Sequence, residues 1–168
     1  ESLDTWKGLK GASFITGAMC KCQYSPLDML MFYDARPCVM CSLFETDKPW
    51  VALKGYYPFK MFSELYELNE AVKVKSDDGN IYAAAAKDNK TAKILLTFFE
   101  NGSAEQNKEV IIKLKNLGLS GNINYTCTVL DENNDCVPIK QLVLTEAEEL
   151  KLNLKMSLYG CYLLSFEV

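Results

Sequence analysis

Apolar residues recur through the first twenty-two positions at intervals of mostly three and four: Leu3, Trp6, Leu9, Ala12, Phe14, Ile15, Ala18, Met19 and Cys22. That period is helical, so residues 4–22 are expected to form one helix with a broad apolar face and Ser2 or Asp4 as its N-cap. The next stretch has a different pattern. Leu27-Asp28-Met29-Leu30-Met31-Phe32-Tyr33-Asp34 is short, nearly continuous in apolar residues and bounded by Pro26 and Pro37, which predicts a strand buried on both faces, as in parallel α/β sheets. A loop with prolines and cysteines runs to about Gly55. Tyr57 to Glu67 then reads as an amphipathic helix with Pro58 in its first turn.

From about residue 71 the period becomes two. Strand-like runs fall near 71–75, 80–86, 92–100, 108–115, 122–130, 136–144, 148–155 and 159–167, with turn signals such as Asp77-Asp78-Gly79, Asn101-Gly102, Leu117-Gly118 and Tyr159-Gly160 between or at the edges of several. Ile123, Tyr125, Cys127 and Val129 alternate with polar neighbours, as do Leu150, Leu152 and Leu154, so one face meets a core and the other meets water. The expected fold class is mainly β: an antiparallel β-sandwich of about eight strands, preceded by a helix–strand–helix segment. Residues 1–70 hold 12 of the 19 aromatics and four of the five prolines, which places the division into a first segment, 1–70, and a sandwich domain, 71–168. The first segment poses a physical problem. A doubly buried strand has no neighbours there to pair its backbone, so its partners lie upstream of residue 1 or it joins an edge of the following sheet.

Composition narrows the chemistry. The chain of 168 residues is 49% hydrophobic and 24% charged, with net charge -4 and no histidine. Ser-His-Asp and Cys-His nucleophilic sites, histidine-ligated zinc and imidazole switches are therefore excluded within it. Residues 1–70 carry 7 basic and 9 acidic side chains and residues 71–168 carry 11 and 13, so neither part has the basic stripe of a nucleic-acid binder. No run approaches the length of a membrane span, and the start Glu1-Ser2-Leu3-Asp4 lacks a signal-peptide pattern; a soluble, cytoplasmic chain is expected. Because residue 1 is not Met, the start is read as a boundary rather than a true beginning.

The seven cysteines, at 20, 22, 38, 41, 127, 136 and 161, form an odd set in a chain too large to need disulfide staples, which predicts reduced thiols. A four-thiolate zinc site from Cys20, Cys22, Cys38 and Cys41 is the sharper alternative. Cys38-Val39-Met40-Cys41 has the spacing of a zinc knuckle, but Cys20-Lys21-Cys22 does not, so buried thiols outweigh metal and neither metal nor cofactor is expected. Asn89, Asn101 and Asn124 match the glycan-acceptor pattern and are taken as chance, since nothing else points to a secreted eukaryotic protein. Glu146, Glu148 and Glu149 are read as a solvated strand edge rather than a calcium site, and Asp131, Glu132 and Asp135 as turn residues.

Met29 to Pro37, Leu43-Phe44-Glu45 and Leu53 to Tyr66 together resemble the end of a clan-A glycoside hydrolase barrel, in the manner of the β-xylosidase and α-L-iduronidase family. The resemblance implies that the first segment is the last helix, strand and helix of a (β/α)8 TIM barrel, that the sandwich is its C-terminal companion, and that the chain is a C-terminal fragment of a bacterial enzyme of carbohydrate metabolism. The lone strand would then pair with barrel strands missing here. In that family the two catalytic glutamates follow the fourth and seventh strands, both upstream of residue 1, so no catalytic residue is assigned and the chain alone is expected to be inactive. Barrel sites lie at the C-terminal ends of the strands, which makes Tyr33, Asp34 and Arg36 the candidate substrate-binding residues: a ring to stack on sugar, a hydroxyl acceptor and an orienting cation. The competing reading is an Asp34–Arg36 ion pair that fixes the loop before Pro37. Where the family often has a Trp-Asn-Gly-like element this chain has Met40-Cys41-Ser42, with Trp50 as the aromatic that could replace it or simply pack.

The function expected is a non-catalytic accessory portion of a glycosidase, with carbohydrate as partner through the parent enzyme and a homodimer through exposed apolar helix faces. The alternative is a stand-alone carbohydrate-binding or protein-interaction sandwich, weakened by the absence of Trp from residues 71–168.

Overall fold

The computed structural model describes residues 3–102, 104–145 and 149–168. The N-cap candidates Ser2 and the Asp4 side chain, Glu1, and the 146–148 part of the acidic run lie outside the described residues.

The helical start is two helices, α1 (Leu3–Lys7) and α2 (Leu9–Cys22), rather than one. The chain turns at Gly8, and Gly11 explains why: a Cβ there would fall 2.0 Å from the Trp6 carbonyl oxygen, so only glycine lets the two helices approach. The buried stripe of α2 also differs from the expected one. Leu9, Ala12, Ser13, Thr16, Gly17 and Cys20 face inward at helical spacing, whereas Phe14 is 54% exposed and Trp6 of α1 is 53% exposed. Small residues win that face because the helix lies close on a flat sheet. The ring of Tyr82 sits 3.4 Å from where a Cβ on Gly17 would be.

α3 (Tyr56–Tyr66) buries Pro58, Met61 and Leu65, one turn apart. Between α2 and α3 the predicted strand at 27–33 is not formed. The backbone there joins no sheet, and Leu27, Met29, Leu30, Met31 and Tyr33 are exposed, Met31 by 81%. The reason is physical: an apolar run becomes a strand only if neighbouring strands take up its N–H and C=O groups, and no strand of the sheet pairs with this run. Phe32 leans on Phe59 of α3, edge to face at 5.4 Å.

The strands are β1 (Glu70–Val72), β2 (Ile81–Lys87), β3 (Thr91–Phe98), β4 (Asn107–Lys115), β5 (Asn122–Leu130), β6 (Asp135–Thr145), β7 (Glu149–Ser157) and β8 (Cys161–Glu167). They build a six-stranded antiparallel sheet in the order β1-β2-β3-β8-β5-β6, and a two-stranded ribbon of β4 and β7. Pro138 lies on β6, at the sheet edge, where a missing N–H costs no ladder bond.

Each face of the large sheet has its own core. Phe98, Ile123, Cys127, Val129, Leu164 and Phe166 meet Leu114 of β4 and Met156 of β7, which makes an unequal sandwich. On the opposite face Ala84, Ala86, Leu95, Leu130 and Leu163 pack with Leu9, Ala12, Met61 and Leu65 from the helices. The two compositional segments therefore share a core. A polar seam runs through it: Ser13 Oγ lies 2.6 Å from Thr97 Oγ1, which donates to the Gly160 carbonyl at 2.8 Å, while Thr16 Oγ1 donates to Cys161 Sγ at 3.2 Å. No helix among the described residues is long and apolar enough to cross a membrane.

Candidate functional site

The loop between α2 and α3 brings Tyr33, Asp34 and Arg36 together at its exposed turn. The Tyr33–Asp34 peptide is cis. Arg36 donates to the Asp34 carboxylate three times: Nε to Oδ2 at 3.0 Å, Nη2 to Oδ2 at 2.8 Å and the backbone N–H to Oδ1 at 2.9 Å. This holds the Asp34 carboxyl below its ordinary range and raises the Arg36 guanidinium. The arrangement is the ion pair that stiffens the loop before Pro37, and it occupies both Asp34 oxygens. Tyr33, 78% exposed, contributes to holding the Arg36 charge and leaves its ring open to solvent. Chemically, the turn can present a ring face and the outer N–H groups of a guanidinium, donors suited to hydroxyl or carboxylate oxygens.

The loop is tied down on both sides. Lys7 Nζ of α1 donates to the Cys38 carbonyl at 2.6 Å, and Thr46 Oγ1 donates to the same oxygen at 3.2 Å. Ser42 forms a local turn with the backbone of Phe44, and Phe44 bridges to Ala52. Trp50 stands 78% exposed beyond it.

The four-thiolate zinc reading fails on placement. Cys20 is buried between α2 and the sheet, its thiol on the Leu95 carbonyl at 3.8 Å and pushed up to about 12 by burial. All seven cysteines are free thiols, and among the described residues no cluster of three or more cysteines and carboxylates is placed to hold a metal. Several carboxylates have structural work: Glu64 pairs with Lys93 at 2.8 Å, Asp78 with Lys108 at 2.7 Å and Asp135 with Lys54 at 2.6 Å, while Asp131 Oδ1 accepts the N–H groups of Asn133 and Asn134.

Two concave sites escaped the sequence reading. A cleft of about 630 Å³ opens where α2 and α3 end over β1 and β2, lined by Tyr24, Phe62, Tyr66 and Lys73. The run Ala83-Ala84-Ala85-Ala86 on β2 was its signal, since small side chains leave a hollow between sheet and helices. A smaller one, about 260 Å³, lies among Trp6, Phe14 and Phe99. Trp6 and Phe14 are eight residues apart and were assigned to the buried face.

No protein-family profile and no curated protein matches the chain. The fold does have solved relatives among glycoside hydrolases. It superposes on a glucosidase from Croceicoccus marinus with TM-score 0.79 at 13% identity, covering 95% of this chain and 42% of that one. A GH39 enzyme from Xanthomonas axonopodis pv. citri gives TM-score 0.72 at 10% identity, with 96% and 41% covered. A monomeric β-xylosidase from Caulobacter crescentus gives 0.70 at 11% identity, with 96% and 42% covered. The chain thus has the fold of a portion of these enzymes and spans about two fifths of their length.

Proposed function

We propose that this chain is the C-terminal accessory portion of a glycoside hydrolase, in which the sandwich and its helices buttress a (β/α)8 barrel built by residues outside the chain. The observation that carries the proposal is the 27–33 segment: an apolar run with the composition of an inner strand, exposed and without a ladder, in a chain whose fold fills only about two fifths of its structural neighbours. Barrel strands on either side would satisfy it. In that setting Tyr33 and Arg36 stand at the mouth of the sugar site, with Asp34 orienting Arg36, and the carboxylate pair that cleaves the glycosidic bond comes from the larger protein. Bacterial carbohydrate metabolism in a reducing cytoplasm belongs to the same proposal, and the free thiols agree with it. A homodimer is not part of it, because α2 and α3 bury their inner faces on the sheet of the same chain.

The test is the intact mass of the protein from its native source, set beside the 18.9 kDa of this chain, with activity on chromogenic glycosides measured for both. A native mass larger by roughly 250 residues or more, active where the 168-residue chain is inert, is the expected result. A native mass of 18.9 kDa overturns the proposal and favours the second reading, a carbohydrate-binding module acting through the cleft around Tyr24 and Tyr66.

A further inference from the structure

Cys38-Val39-Met40-Cys41 closes into a turn within the same loop, with residues 39–41 in turn conformation. Positions one and four of such a turn keep their Cα atoms within about 7 Å, which overlaps the span of roughly 4.4 to 6.8 Å that a disulfide bridges. The groups that favour a charged Cys38 sulfur belong to the same turn: the backbone N–H groups of Cys41 and Met40 and, more weakly, the Cys41 side chain. Those contacts stabilise a thiolate at Cys38 and lower its pKa, against the opposing charge of the Asp34 carboxylate. Arg36, which holds that carboxylate, also interacts with the Cys38 thiolate. Both cysteines are partly exposed, and Val39 and Met40 between them are exposed.

The other five cysteines lack this combination. Cys20, Cys127 and Cys161 are buried; Cys22 ends α2, and Cys136 is on β6 with its thiol raised by burial.

We propose that Cys38 and Cys41 are a reversible disulfide site, oxidised by a low-molecular-weight disulfide of the glutathione type. The Cys38 thiolate attacks one sulfur of that disulfide, forming a mixed disulfide and expelling one thiolate. Cys41 then attacks Cys38 sulfur, its proton passing to solvent, and expels the second thiolate. Two protein thiols are oxidised to one disulfide, and the small disulfide is reduced to two thiols. The ring so formed clamps the turn that follows Arg36 and Pro37. The inference needs no assumption about a larger protein, since every group in it belongs to this loop.

The experiment incubates the native 168-residue chain with glutathione disulfide, blocks remaining thiols by alkylation and localises the products by fragment-ion mass spectrometry. Wild type is expected to show a Cys38–Cys41 cross-link, lighter by two hydrogens and reopened by dithiothreitol. Cys41→Ser should stall as a glutathione adduct on Cys38, and Cys38→Ser should react at Cys41 about tenfold more slowly. Separately alkylated Cys38 and Cys41 in oxidised wild type overturn the proposal, as does a cross-link that uses another cysteine. The wild-type arm decides the question without any variant.

Discussion

Replacing Thr97 by Val keeps the side-chain shape and removes a single hydroxyl from the seam between α2 and the sheet. Thr97 is fully buried, and its Oγ1 contacts Ser13 Oγ at 2.6 Å and donates to the Gly160 carbonyl at 2.8 Å. In the variant Ser13 keeps only a long contact to the Phe98 carbonyl at 3.4 Å, and the Gly160 carbonyl keeps only the Phe98 N–H, also at 3.4 Å. A buried group left wholly unsatisfied costs about 1–3 kcal/mol, and because each of these two keeps one long contact Thr97→Val is expected to lower stability by about 2–4 kcal/mol, the lower part of the summed range. Ser13→Ala alone should cost about 1 kcal/mol, because Thr97 still donates to Gly160. The double variant should cost less than the sum, by about 1 kcal/mol, since each change removes the same hydrogen bond. Urea unfolding followed by far-UV circular dichroism reads this directly: with a slope of about 2 kcal/mol/M the Thr97→Val midpoint moves down by about 1–2 M. Strict additivity, or a shift below about 0.5 kcal/mol, would refute the reasoning. So would a separate early transition for the helices, because the shared core requires residues 3–66 to unfold with the sandwich.

The buried thiols set an alkaline limit. Burial pushes Cys20 up to about 12 and Cys161 up to about 11, from an ordinary value of 9.0, so their protonated forms favour the fold below pH 9 and this contribution declines as pH rises through those raised values. Thermal melts should show a falling Tm from pH 9 upward, and a Cys161→Ala variant should show a shallower fall; an unchanged slope would exclude these thiols as the cause. Met31→Asp tests the exposed segment. With Met31 81% exposed, the change should alter the stability of this chain by no more than about 0.5 kcal/mol, whereas in a longer protein whose barrel covers residues 27–33 the same carboxylate should abolish folding or activity. A loss above about 1 kcal/mol in the short chain would mean the segment is not exposed.

All eight strands were legible because alternation of buried and exposed positions is a local signal, and β5 coincides with the predicted 122–130. Their arrangement was not. Nothing in the runs themselves says that β8 inserts between β3 and β5, or that β4 leaves the large sheet to pair with β7, because pairing depends on contacts far apart in sequence. On α2 the apolar period pointed to Phe14 and Met19, while the stripe that meets the sheet is Ala12, Ser13, Thr16, Gly17 and Cys20. Hydrophobicity ranks a phenylalanine above a glycine, but close approach of a helix to a sheet selects for size. At the candidate site the grouping of Tyr33, Asp34 and Arg36 came from the resemblance to the end of a barrel strand. The Asp34–Arg36 ion pair was legible too, as the competing reading, and the turn geometry adds that Arg36 occupies both carboxylate oxygens.

Where local pattern and surroundings disagree, the disagreement is itself informative, since sequences that fold to one structure are consistent across levels. Two parts of the first seventy residues are inconsistent. The 27–33 run has the composition of an inner strand but has no ladder, and Trp6 and Phe14 carry large apolar surface on helices whose inward stripe is already filled. The first of these stands close to the helices: Phe32 rests on Phe59 of α3, and Lys7 of α1 holds the loop at the Cys38 carbonyl. The sandwich is mismatched only at edges: β6 exposes Val137, Ile139 and Val143 and β4 exposes Ile111, while its two cores are filled and no buried polar side chain among the described residues lacks a partner. The larger unmet demand lies in the first seventy residues, where Met29, Leu30, Met31, Phe32 and Tyr33 are exposed in one continuous run, Met31 by 81%. A continuous exposed run beside the helices, larger than the scattered apolar positions on β4 and β6, is the feature that favours a buttress for a larger domain over an independent binding module.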